Sequence, residues 1–163
     1  MDTKMHASKF ADLKPRIVVI GVGNELLRDE GVGVVVARAL KGELLPAEVE
    51  VIEGGVAGLD LLFEMEGADR AVIVDAADMG LEPGAIRVFS PPELEFEGLA
   101  KLASLHHVSL LDVLELGKLT GLQTEVVIVG IQPAEVAPGT GLTPQVGEAV
   151  GRAVEEVKGL VGK

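Results

Sequence analysis

The sequence predicts one α/β domain of three layers, in which a mainly parallel, twisted sheet of about five strands is flanked by helices. Two observations lead to this prediction. Short, continuous apolar segments recur along the 163 residues, and unbroken apolar strands are typical of a sheet that is covered on both faces. The segments between them have the apolar periodicity or the turn residues of helices and loops, and this alternation favours parallel strands joined by crossover helices.

Each element is predicted from a local pattern. Buried strands are predicted at residues 16–20, 48–52, 70–75, 85–89 and 125–131. Helices are predicted at 32–40, 59–65, 108–116 and 145–161, the last with Thr143 as N-cap and Pro144 in its first turn. The valines within 32–40 favour a strand, but the position between two buried strands favours a helix, which we adopt. Residues 90–98 are predicted to form an acidic surface loop, 1–14 a flexible lead-in, and 15–163 the folded domain.

Composition narrows the classes of function. The formal net charge of −12 argues against binding nucleic acid or an anionic membrane, because both require clustered Lys and Arg. There is no cysteine, which excludes disulfides, thiolate metal ligands and a cysteine nucleophile. No apolar run is long enough for a transmembrane helix, and the first residues lack the apolar core of a signal peptide, so we expect a cytoplasmic protein.

The loop after the first strand contains the most informative residues. Gly21 and Gly23 begin it, Asn24 follows, and Asp29 and Glu30 stand where the next helix should begin. A phosphate site at this place would need backbone N–H groups and positive charge, and two carboxylates there favour a cation instead. Alternatively, either carboxylate could serve only to stabilise the N-terminus of the helix that follows, through its interaction with the helix dipole.

Other polar residues are expected at the same edge, because ligands of open α/β sheets gather at the carboxyl ends of the strands. Asp75 ends the third strand, and His106 and His107 precede a later helix. Glu30, Asp75 and one histidine would form an open site for a divalent transition ion, which can polarise a carbonyl or acidify bound water. Taken singly, Asp75 could be a turn residue and the histidine a surface or capping residue.

A dinucleotide site is the competing interpretation. Gly21 and Gly23 follow a strand, and Glu53 ends the second strand, where an acid that binds ribose would lie. However, Leu26 replaces the third glycine of that motif, and two acids occupy the place of the pyrophosphate. No His-Glu-x-x-His helix, Gly-x-Ser-x-Gly elbow or Walker loop is present.

These residues, taken together, resemble the hydrogenase maturation endopeptidases, which process the large subunit of nickel–iron hydrogenases. The resemblance runs in order from about residue 16 to the last helix. It rests on Gly21-Val22-Gly23-Asn24-x-Leu26-Leu27-x-Asp29-Glu30, Glu53-Gly54-Gly55-x-Ala57-Gly58, Val74-Asp75-Ala76, Ser104-Leu105-His106 with Leu110-x-Asp112-Val113-Leu114, Gly130-Ile131-x-Pro133 and Gly141-Leu142-Thr143-Pro144. The family more often has Asp at the position of Glu53.

The resemblance implies a function and a site. The expected activity is removal of a C-terminal extension from the nickel-loaded precursor, with Glu30, Asp75 and His106 as both the catalytic and the metal-contacting residues. The nickel is expected to arrive with the precursor, and other divalent transition ions could occupy the same site. His106 matches the motif by its spacing from Ser104 and Leu110, and His107 could share its role. A nickel-binding chaperone that performs no hydrolysis would use the same three ligands.

Overall fold

The structure is a computed structural model that describes residues 14–56, 58–96 and 109–162. Its order of elements is β1 (Ile17–Val22), α1 (Val32–Leu40), β2 (Val49–Gly55), α2 (Asp60–Met65), β3 (Arg70–Ala76), β4 (Ile86–Phe89), α3 (Pro91–Phe96), α4 (Leu110–Leu119), β5 (Glu125–Ile131) and α5 (Pro144–Val161). A short 3₁₀ turn, Arg28–Gly31, lies between β1 and α1.

Within the described residues, the strands form one five-stranded sheet in the order β2-β1-β3-β5-β4. The first four strands of that order are parallel, and β4 is an antiparallel strand at the edge. The carboxyl ends of β1, β2, β3 and β5 therefore lie at one edge of the sheet, which we call the carboxyl edge. The predicted three-layer, mainly parallel α/β fold is confirmed.

Both faces of the sheet are buried. One hydrophobic cluster joins the sheet to α1 and α5 and includes Val72 and Val74 of β3. The other joins it to α2 and α4 and includes Ala71 and Ile73. Successive side chains of a strand point to opposite faces, so the unbroken apolar run 71–74 of β3 packs into both layers. The unbroken apolar runs of the sequence have this cause.

Helix α1 forms where the valine-rich segment had allowed a strand. Its N-terminal part lies so close to the sheet that a Cβ on Gly33 would come within 2.1 Å of the Val74 carbonyl oxygen. A Cβ on Gly21 of β1 would come within 2.1 Å of the Gly33 carbonyl oxygen. Both glycines thus permit backbone-to-backbone packing, which fixes α1, and the turn before it, against β1 and β3.

Two of the sequence predictions need correction. The acidic segment 90–98 was predicted as a loop, but α3 begins at Pro91, and the Glu93 carboxylate accepts hydrogen bonds from the backbone N–H and the hydroxyl of Ser90. Pro at the first helical position after Ser is a helix-start signal. Helix α4, predicted over 108–116, continues to Leu119, and Gly117 is a buried helical position at which a Cβ would come within 2.9 Å of Leu62 and 3.0 Å of Leu122.

The predicted lead-in, 1–14, lies almost wholly outside the described residues, which begin at residue 14. No helix in the described part of the chain has the length and apolar character that a membrane crossing requires.

Candidate active site

Two of the three sequence-predicted site residues lie together at the carboxyl edge. Glu30 lies in the 3₁₀ turn after β1, and Asp75 is the penultimate residue of β3, which is the neighbour of β1 in the sheet. Only 7% of Glu30 and 4% of Asp75 is exposed to solvent. The fold therefore brings residues 45 positions apart in the sequence to one buried place.

The two carboxyl groups interact electrostatically. Burial raises the pKa of Asp75 well above its usual range, and the charge of Glu30 raises it further. The backbone N–H of Ala76 opposes this shift only in part. The Oδ2 atom of Asp75 is buried and has no hydrogen-bond partner. Glu30, in contrast, accepts a hydrogen bond from the backbone N–H of Asn24.

An orphaned, buried carboxylate oxygen beside a second carboxylate is electrostatically unfavourable, and most buried polar atoms in folded proteins have a partner. A divalent cation would compensate for both the desolvation and the repulsion, and carboxylate oxygens are ordinary ligands of such ions. The pair therefore fits a cation.

The third predicted ligand, His106, lies outside the described residues, as does His107. The described chain resumes at Ser109, the N-cap of α4, whose buried residues Leu110 and Val113 pack in the same cluster as Ile73. Ile73 and Asp75 lie on one face of β3, so α4 is on the Asp75 side of the sheet. Among the described residues, no group of three His, Asp or Glu side chains could hold a metal ion.

Asp29, next to Glu30, has a different environment. It is fully buried, and its carboxylate accepts hydrogen bonds from the backbone N–H groups of Ala134 (2.9 Å), Glu135 (3.0 Å) and Thr143 (2.7 Å), and from the Thr143 hydroxyl (2.8 Å). Burial alone would raise its pKa, but these hydrogen bonds outweigh it, and the pKa of Asp29 is lowered. Asp29 therefore holds the loop after β5 against the turn that contains Glu30.

The same two loops are joined along their backbones. The Arg28 N–H donates to the Gly139 carbonyl (3.2 Å), and the Gly139 N–H donates to the Leu26 carbonyl (2.9 Å). Arg28 has a left-handed backbone, with φ at 55°, and its side chain lies 3.4 Å from the Glu135 carboxylate. Thr143 occupies the N-cap position of α5 as predicted, but its hydroxyl serves Asp29 and does not cap the helix.

Sequence reasoning missed Gln132. This buried residue follows β5, and its side-chain oxygen accepts hydrogen bonds from the N–H groups of Met79 (2.6 Å) and Leu81 (3.3 Å). Its side-chain nitrogen donates to Asp78 (3.1 Å). Gln132 thus fixes the loop that follows Asp75. The available signal was a long amide at the end of a buried strand, within the segment Gly130-Ile131-x-Pro133.

The residues that suggested a dinucleotide site form ion pairs and packing contacts within the protein. Glu53 forms ion pairs with Arg38 (3.0 Å) and Lys41 (3.3 Å), both from α1 and its end. A Cβ on Gly23 would come within 2.0 Å of the Glu30 carbonyl oxygen, so the 3₁₀ turn fills the space beside this glycine. Gly21 and Gly23 are therefore positions of tight backbone packing.

Comparisons with known proteins agree on one family. A family model described as HycI, hydrogenase maturation protease, matches residues 34–159. The hydrogenase 2 maturation protease of Escherichia coli K12 is 37% identical over 145 residues, which cover 87% of this chain and 88% of that protein. The structure of the hydrogenase maturating endopeptidase HybD from E. coli matches with a TM-score of 0.80 at 36% identity, covering 90% of this chain and 92% of that one. The [NiFe] hydrogenase maturation protease HybD from Thermococcus kodakarensis matches with a TM-score of 0.70 at 30% identity, covering 90% of this chain and 99% of that one.

Proposed function

Because the chain belongs to the hydrogenase maturation protease family, we propose that it removes a C-terminal extension from the large-subunit precursor of a nickel–iron hydrogenase and recognises the nickel that the precursor carries. The single observation that supports the nickel part of this proposal is the Glu30–Asp75 pair. Two buried carboxyl groups interact there, and one oxygen of Asp75 has no partner. The cytoplasm is the proposed place of the reaction.

In this proposal, Glu30, Asp75 and His106 contact the nickel of the bound precursor. Asp75 supplies the unpartnered oxygen, and Glu30 is held in place through its hydrogen bond to Asn24. His106 would supply the nitrogen ligand. The ion is part of the substrate, so its capture also positions the chain that is to be cut.

Hydrolysis then requires a water molecule that attacks the scissile carbonyl carbon, after which the C–N bond breaks and the leaving amine takes a proton. Two routes can activate that water: polarisation by the divalent ion, or proton abstraction by one of the two carboxylates. Both place the reaction at the carboxyl edge, beside Asp75. Aspartic-type and metal-assisted hydrolysis are the corresponding enzyme classes.

A test compares the wild-type protein with Glu30→Gln on a nickel-loaded precursor, with intact mass spectrometry as the readout. We expect the wild type to release a C-terminal peptide and Glu30→Gln to do so at least about 100-fold more slowly, because a carboxylate ligand is lost. Normal processing by Glu30→Gln would contradict the assignment of this residue. A precursor that binds to the wild type but is never cut would favour the chaperone alternative instead.

A further inference from the structure

In the described residues, the loops at the carboxyl edge expose five large apolar side chains; two are Leu59 (49%) and Leu81 (42%), and the other three lie in loops that are hydrogen-bonded to one another. Leu26 follows β1 and is 67% exposed, Val56 follows β2 and is 55% exposed, and Val136 follows β5 and is 41% exposed. We call these three residues the apolar rim. Apolar side chains scattered singly over a surface are ordinary, but three on adjoining loops beside one site call for an explanation.

Backbone hydrogen bonds join these loops into one surface. The Gly23 N–H donates to the Gly55 carbonyl (2.8 Å), which links the loops after β1 and β2. The Gly139 N–H donates to the Leu26 carbonyl, and the Asp29 N–H to the Glu135 carbonyl (3.2 Å), which link the loops after β1 and β5. The relative positions of the rim residues are therefore set before any partner binds.

The charged groups around the rim are largely paired with one another. Arg38 bridges Glu25 (2.9 Å) and Glu53 (3.0 Å), and Arg28 approaches Glu135. Paired charges of opposite sign cancel much of each other's field, so these pairs give the rim little electrostatic attraction for a charged segment. An apolar segment is the chemistry that the rim can bury with a gain in free energy.

The burial of the carboxyl pair indicates which molecule binds to the apolar rim. Glu30 and Asp75 are almost completely buried, so a substrate that contacts them must also cover the loops around them. We propose that the apolar rim is the docking surface for an apolar stretch of the precursor next to its nickel, and this inference rests on the proposed function. The rim supplies binding that does not depend on the metal, and the carboxyl pair then contacts the ion.

A second apolar surface is the alternative docking site for the precursor. A groove of about 680 Å³ between α2 and α4 is lined by Phe63, Leu116 and Leu122 among others. It reaches Asp69, just before β3, and Thr124, just before β5, and so extends to the opposite edge of the sheet. If the precursor docks there, substitutions in the groove will weaken binding and those in the rim will not.

The experiment measures the dissociation constant of the nickel-free precursor, which isolates the rim from the metal, and the KM and kcat for the nickel-loaded precursor. The variants are Leu26→Ser and Val136→Ser in the rim, Phe63→Ser in the groove, and Leu44→Ser as control. Leu44 is 96% exposed in the connection before β2, at the opposite edge. Leu26→Met keeps an apolar side chain and should restore binding. Denaturant unfolding confirms that each variant is folded.

We expect Leu26→Ser to raise both the dissociation constant and KM about tenfold and to leave kcat within about twofold. Val136→Ser should have a smaller effect in the same direction, and Leu26→Met, Leu44→Ser and Phe63→Ser should resemble the wild type. Equal effects of Leu26→Ser and Leu44→Ser, a dominant effect of Phe63→Ser, or failure of the wild type to bind the nickel-free precursor would overturn the rim. Rim-dependent binding without any cleavage would support the rim and contradict the protease function.

Discussion

Asp29 and Asp75 are both buried at the carboxyl edge, yet their environments are opposite. Asp29 accepts four hydrogen bonds, and its pKa is lowered in spite of burial. Asp75 leaves one oxygen without a partner and lies near a second carboxylate, and its pKa is raised. Both side chains are almost wholly shielded from solvent; the pKa values differ because Asp29 has four donors, whereas Asp75 lies deeper and beside the charge of Glu30. Asp29 is a structural residue that joins two loops, whereas Asp75 has an oxygen available for a ligand.

The largest expected effect separates activity from stability at Asp75. Asp75→Asn removes a carboxylate that we assign to the substrate's metal, so cleavage of the nickel-loaded precursor should fall by about 100-fold or more. Its free energy of unfolding should stay within about 1 kcal/mol of the wild type or rise, because the repulsion from Glu30 disappears. Precursor processing and urea unfolding, measured on the same preparation, check both parts. An Asp75→Asn variant that is unstable but fully active would show that Asp75 is a structural residue and does not contact the metal.

At Asp29 the expected change is in stability. Asp29→Asn exchanges one acceptor oxygen for an NH₂ group that would face the N–H donors of the loop after β5, and it should lower the free energy of unfolding by about 2–4 kcal/mol. Denaturant unfolding measures this, with the exposed Asp60→Asn as control, for which we expect a change within about 0.5 kcal/mol. A change at Asp29 no larger than that at Asp60 would show that the loop is held by other contacts.

The smallest effect concerns the Thr143 hydroxyl. Thr143→Val keeps the shape and the backbone N–H bond to Asp29 but loses one of the four hydrogen bonds, at a cost of about 1 kcal/mol. Thr143→Ser keeps the hydroxyl and should restore most of the loss. Thermal unfolding of the two variants checks this. If valine is neutral, the hydroxyl contributes nothing to the network around Asp29.

The sequence allowed the fold to be predicted because its determinants are local. Unbroken apolar strands such as 71–74 imply burial on both faces, and the order of elements then implies a parallel sheet. Glu30 and Asp75 could be assigned to one site for the same reason, since carboxyl ends of neighbouring parallel strands meet. The third residue, His106, stays a prediction.

The division of labour between Asp29 and Glu30 could not be predicted, because the donors that bind Asp29 are 105 to 114 residues away in the sequence. Gln132 was missed for the same reason, since its partners Met79 and Leu81 are 53 and 51 residues away. Helix α3 was missed although its signal, Ser90 followed by Pro91 and then Glu93, is local. There the proline pair was interpreted as a loop.

Whether the carboxyl pair acts on a metal carried by the substrate can be tested by intact mass spectrometry of the precursor after incubation with the wild-type protein. The precursor is prepared with and without nickel, and the two samples are otherwise treated alike. We expect loss of a C-terminal peptide from the nickel-loaded precursor alone. Equal cleavage of both samples would contradict this expectation, because Glu30 and Asp75 would then act without a metal.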